Sequence, residues 1–68
     1  MGQPYIDWKF VETRKFEQFH YDIFYMQRED QSFVYKGFIY FKNGKDTWLD
    51  HESLDNLRNS IIQLGMQA

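Results

Sequence analysis

Cysteine is missing from this chain altogether, and proline occurs once, at Pro4. Without cysteine there is neither a disulfide framework nor a thiolate zinc site. The four glycines are scattered and form no glycine-rich loop of the kind that cradles a phosphate. No apolar run approaches the roughly 18 residues of a membrane-spanning helix, and the start of the chain lacks the basic-then-apolar layout of a secretory signal. Met1-Gly2 is not expected to be an acylation start, because Ile6 stands where a Ser or Thr is needed. Neither sign of charge dominates: eight basic and ten acidic residues leave a net charge of -2. Such a balance creates no whole-molecule field to draw in nucleic acid or an anionic membrane. The expectation is a cytoplasmic protein with no membrane partner.

What the chain has in abundance is rings. Aromatic residues make up 21% of 68 residues, and each ring can bury on the order of 150 to 250 Å². A chain this short falls below the roughly 70 to 80 residues at which one core is comfortably stabilising. Residues 1–68 therefore read as one small domain that needs a dense aromatic core, self-association, or both.

Two aromatic runs set the architecture. In an extended chain Phe19, Tyr21, Ile23 and Tyr25 fall on one side, with His20, Asp22, Phe24 and Met26 on the other. The second run places Phe33, Tyr35, Ile39 and Phe41 on one side and Val34, Lys36, Phe38, Tyr40 and Lys42 opposite. Aromatic and β-branched enrichment favours strands for both. Arg28 to Ser32 is the polar break between them, a loop of roughly five residues that makes them antiparallel neighbours. Before them, Met1 to Gln3 reads as loose and Pro4 as an extended entry. Ile6, Trp8 and Phe10 then alternate with Asp7, Lys9 and Glu12, so this strand is expected to turn its rings inward, and Thr13 to Lys15 to be a polar link.

Asn43-Gly44 signals a tight hairpin. As a two-residue loop it sets Lys42 opposite Lys45, Tyr40 opposite Thr47 and Ile39 opposite Trp48; a slightly longer loop would separate the two lysines. The period then changes. Leu54, Leu57, Ile61 and Leu64, widened by Ile62, recur at helical spacing. Asp50 is the expected N-cap, with Glu52 adding negative charge to the first turn. Gly65 is expected to end the helix, with Met66 touching Ile61. The helix is thus placed from about His51 to about Leu64, roughly 21 Å long. The predicted class is α+β, a three- to four-stranded antiparallel β-meander followed by one C-terminal α-helix packed on one sheet face (ββββα).

Catalytic and metal chemistry find little support. His20 and His51 lie on different elements, and a metal needs three or four converging ligands. Asp7, Glu12, Glu17, Asp22 and the Glu29-Asp30 pair read as the wet sides of strands, since acid-base carboxylates need a partly dry cleft. Ser32, Ser53 and Ser60 lack a nucleophile elbow. Gly37, inside the third strand, marks a bulge, a bend or close packing. No cofactor, no metal and no enzymatic activity are expected.

One helix can roof one sheet face, yet both sides of strands two and three carry rings. A large exposed apolar patch marks an interaction surface. The sequence therefore points to a small protein-interaction module of adaptor or inhibitor type, binding a protein partner or a second copy through Phe24, Lys36, Phe38 and Tyr40, with a homodimer as its usual form. The alternative rests on lysines interleaved with rings: Lys36, Phe38, Tyr40, Lys42 and Lys45 combine stacking with phosphate contact, as single-stranded nucleic-acid binders do. Four strands followed by a capped helix also resemble the dimeric PC4-type single-stranded-DNA-binding fold, a resemblance of element order that implies nucleic-acid binding through those same residues.

Overall fold

The computed structural model describes residues 7–67. Four antiparallel strands, β1 (Lys9–Lys15), β2 (Phe19–Gln27), β3 (Phe33–Phe41) and β4 (Asp46–His51), form one open sheet in sequence order, and α1 (Leu54–Gln67) packs across one of its faces. This is the predicted ββββα meander. The expectations for Met1 to Gln3, Pro4 and Ile6 lie outside the described residues.

Strands β2 and β3 pair without interruption from Phe19 opposite Phe41 to Gln27 opposite Phe33. Their alternation is as predicted: Phe19, Tyr21, Ile23 and Ile39 are buried beneath the helix with Leu57 and Ile61, while Phe24, Lys36, Phe38 and Tyr40 point the other way. Gly37 is a close-packing site. A Cβ there would sit 2.4 Å from Cδ1 of Ile61, so its missing side chain is what lets the helix approach the sheet.

The first strand corrects the prediction. Trp8 and Phe10 do alternate with polar residues, but Phe10 is 57% exposed and lies opposite Phe24 on the face away from the helix. A β-bulge between Phe10 and Glu12 then turns two successive residues, Val11 and Glu12, toward the helix side. Thr13 to Lys15 is strand rather than link, paired with Asp22, Tyr21 and His20. The turn is instead Phe16 to Gln18, closed by the Phe16 N-H donating to the Phe19 carbonyl at 2.8 Å.

The β2–β3 and β3–β4 hairpins share one geometry. In the second, the Phe41 N-H donates to the Lys45 carbonyl at 2.9 Å and the Gly44 N-H to the Phe41 carbonyl at 3.0 Å. In the first, the Arg28 N-H donates to the Ser32 carbonyl at 2.8 Å and the Gln31 N-H to the Arg28 carbonyl at 2.9 Å. Each is a turn followed by one left-handed residue, Gly44 at φ 92° and Gln31 at φ 75°. The Asn43 and Asp30 carboxamide and carboxylate oxygens accept from the backbone of Lys45 and Ser32 in the same way. The Asn43-Gly44 hairpin is therefore one residue longer than the tightest form: Ile39 faces Thr47, Phe38 faces Trp48, and Lys42 and Lys45 flank the turn without facing each other.

The helix also starts later than predicted. Asp50 belongs to β4, opposite Lys36, and Ser53 is the cap, its hydroxyl accepting from the Asn56 N-H at 3.3 Å. His51 supports that cap by accepting from the Ser53 N-H through Nδ1 at 3.2 Å. Gly65 does not end the helix. It is buried within it against the Phe19 ring, where an added Cβ would lie 2.3 Å from the nearest ring carbon. Met66 is 64% exposed and caps nothing.

One polar network ties the helix to the sheet. Arg58 donates to Glu12 through Nη2 at 2.6 Å and Nε at 3.1 Å, and the Tyr21 hydroxyl donates to the same carboxylate at 2.9 Å. The Arg58 hydrogen bonds hold the Glu12 carboxyl below its ordinary range, outweighing the opposing effect of burial, with the Tyr21 bond adding to the shift. Burial first, then the neighbouring Glu12 carboxylate, pushes the Tyr21 hydroxyl up.

Candidate interaction face

The sheet face opposite α1 is built by four strands, each of which turns at least one ring outward. Phe10 of β1 meets Phe24 of β2 edge to face at 5.7 Å and 74°, and Phe24 meets Phe38 of β3 at 5.9 Å and 76°. Phe38 is register partner to Trp48 of β4, which is 52% exposed. A band of rings thus crosses the whole sheet. Edge-to-face contacts of this kind contribute on the order of 0.5 to 1.5 kcal/mol beyond area.

Lys36 sits within the band. Its Nζ lies 4.2 Å from the centroid of Trp48, 5.3 Å from Phe38 and 5.7 Å from Trp8, all within cation-π range. Trp8, Phe24, Lys36 and Phe38 line a shallow pocket of about 170 Å³. That is smaller than the roughly 300 to 1,000 Å³ typical of small-molecule sites. Carboxylates frame the rings: Asp22 opposite Phe38, Asp46 opposite Tyr40, Asp50 opposite Lys36. Asp22 accepts from the Thr13 hydroxyl at 2.5 Å, whereas Asp46 and Asp50 are exposed and enter no ion pair among the described residues. Val34, at the far end of this face, is buried.

Of the residues predicted from sequence, Phe24, Lys36 and Phe38 converge on the pocket. Tyr40 stands apart, its ring stacked on His20 at 4.8 Å. Lys42 and Lys45 lie at the hairpin tip, so the predicted basic stripe is divided between tip and band. Trp8, Phe10 and Trp48 were not among the predicted binding residues. Trp48 would have been found from a three-residue hairpin loop, which moves it to the face it occupies.

The candidate acid-base groups are held by structural contacts. Asp7 pairs with Lys9 at 3.6 Å, Glu12 with Arg58, and Asp30 accepts from the Ser32 backbone and hydroxyl. Glu17, Glu29 and Ser60 are exposed. Among the described residues no group of three or more His, Cys, Asp or Glu side chains is placed to hold a metal ion, and no helix is long and apolar enough to cross a membrane. No protein-family model, characterised protein or solved structure matches this chain.

Proposed function

We propose that this protein is a non-enzymatic protein-interaction module of adaptor or inhibitor type, working in the cytoplasm, whose binding surface is the sheet face opposite α1. The observation that carries the reading is the ring band Phe10, Phe24, Phe38 and Trp48 crossing all four strands on the side without the helix, with Phe10 and Trp48 each more than half exposed. Exposed contiguous apolar area of this sort marks partner surfaces, and aromatic anchors with a charged rim are their usual composition. Lys36 supplies a cation at the centre and Asp46 and Asp50 supply the rim.

Single-stranded nucleic-acid binding through Lys36, Phe38, Tyr40, Lys42 and Lys45 is the weaker reading. The carboxylates of Asp22, Asp46 and Asp50 frame the same rings and repel a phosphate backbone, leaving the exposed lysines at the hairpin tip. An oligonucleotide shift assay at two salt concentrations separates the readings: salt-sensitive binding lost in Lys42→Glu and Lys45→Glu would favour nucleic acid.

An aromatic photo-crosslinking amino acid, p-benzoylphenylalanine, which keeps a ring at the position, placed at Trp48, with a control at Asn59 on the helix surface, tests the proposal. Specific protein adducts are expected from position 48 and not from 59. Absence of adducts at 48, and at Phe10 as a second position, would overturn it.

A further inference from the structure

Building on the reading of this face as a partner surface, we infer that one occupant is a second copy of the chain, packed face to face over β3 and β4. A dimer of strands would otherwise form at the sheet edges. β1 is interrupted by its bulge between Phe10 and Glu12, which blunts an edge. β4 pairing antiparallel with itself about Trp48 would set Asp46 of each copy opposite Asp50 of the other, and like charges directly opposite are unfavourable. Edge pairing is therefore opposed at both sides, and the open face is left.

That face is self-complementary because of its register. Lys36 lies opposite Asp50, Phe38 opposite Trp48, and Tyr40 opposite Asp46. A two-fold axis in the plane between two sheets, parallel to the strands and midway between β3 and β4, exchanges these two strands. Each side chain then meets the register partner of its own neighbour: Lys36 meets Asp50 of the second copy, Phe38 meets Trp48, and Tyr40 meets Asp46, each contact occurring twice. Among the described residues Lys36 and Asp50 make no ion pair, so the Lys36 ammonium, held over the Trp8, Phe38 and Trp48 rings, carries a charge that Asp50 of the second copy can match. Closed two-fold interfaces require this kind of self-matching. Overlap of two strands per copy is a small contact beside the roughly 1,600 Å² of a standard interface, so association belongs among the weak, transient kind.

The test uses the whole chain in sedimentation equilibrium from about 10 μM to about 1 mM, concentrations at which weak association is populated. The wild type is expected to approach dimer mass as concentration rises. Lys36→Asp and Asp50→Lys, each alone, place like charges across the axis and are expected to weaken association at least about tenfold. Mixing these two variants in equal amounts restores opposite charges at both crossings, so the mixture is expected to dimerise although neither component does. No intrachain effect reproduces that rescue. Trp48→Glu, at a half-exposed position, serves as a second disrupting variant should either charge change fail to fold. A wild type that stays monomeric throughout, or a mixture no more associated than its components, overturns the inference. If in that case crosslinking at Trp48 still captures a different protein, the proposed interaction face stands and only the identity of its occupant is refuted; if crosslinking is silent too, both fall.

Discussion

The two faces of the sheet are made by the same strands and draw on similar rings, yet one is sealed and the other is not. On the helix side Tyr21, Ile23, Ile39, Leu57 and Ile61 lose essentially all contact with water, and two glycines are kept bare so that Ile61 and Phe19 fit against the backbone. On the other side the rings touch one another edge to face and remain in part solvated. The difference teaches that aromatic content alone does not define a core. Atoms on the sealed face contribute to folding, and the rings of the open face stay partly in water.

The largest test of that division is Ile61→Ala, which removes packed atoms from the sealed face. Loss of about 3 kcal/mol in chemical denaturation is expected, in line with buried large-to-small changes. Gly65→Ala sharpens the comparison by competition between two effects. Helix propensity alone favours alanine by about 1 kcal/mol, while the new methyl would enter the Phe19 ring. Overpacking of this kind costs about 1 to 3 kcal/mol, so a net loss of about 1 kcal/mol is expected. A gain would mean that the helix end is looser than its contact with Phe19 implies.

Glu12→Gln probes the polar tie beside the sealed face. The folded carboxyl is held below its ordinary value of 4.5, chiefly by the Arg58 hydrogen bonds. Its contribution is therefore present above the unfolded value and lost as pH falls through the folded one. The wild type should melt higher than Glu12→Gln at pH 7, with the gap narrowing as pH is lowered below 4.5 in thermal scans. A gap that is constant with pH would contradict the assigned charge pair. The smallest effect is expected at a turn that belongs to neither face. Gln31→Gly relieves a left-handed residue at φ 75° and should stabilise by about 0.5 kcal/mol, the relief being partly offset by glycine entropy. Association should not change.

The helical stripe is legible in the sequence because its period is clean, and β2 and β3 because aromatic and β-branched residues dominate both of their sides. Strict alternation along an extended chain then puts Phe24 on one side of β2 and Lys36 with Phe38 on one side of β3. Trp48 reads on the wrong face for a single reason: Asn-Gly serves both a two-residue loop and a turn followed by one left-handed residue, and the choice shifts every later residue to the opposite face. Phe10 reads as inward because alternation reveals that two sides differ, not which one a helix will cover. Gly65 reads locally as a helix stop, whereas its use depends on Phe19, far away in the chain. The same distance hides the pairing of Glu12 with Arg58. Asp50 looked like a cap because the length of β4 depends on its pairing with Lys36.

The central claim, that the ring band serves association more than folding, is tested most directly by Trp48→Ser, read at once for unfolding free energy and for association of the pure protein or capture of a partner by a crosslinker at Phe10. The expected result is a stability change within about 1 kcal/mol, as for partly exposed side chains, together with loss of association. A loss of stability as large as that of Ile61→Ala, with association intact, would contradict it.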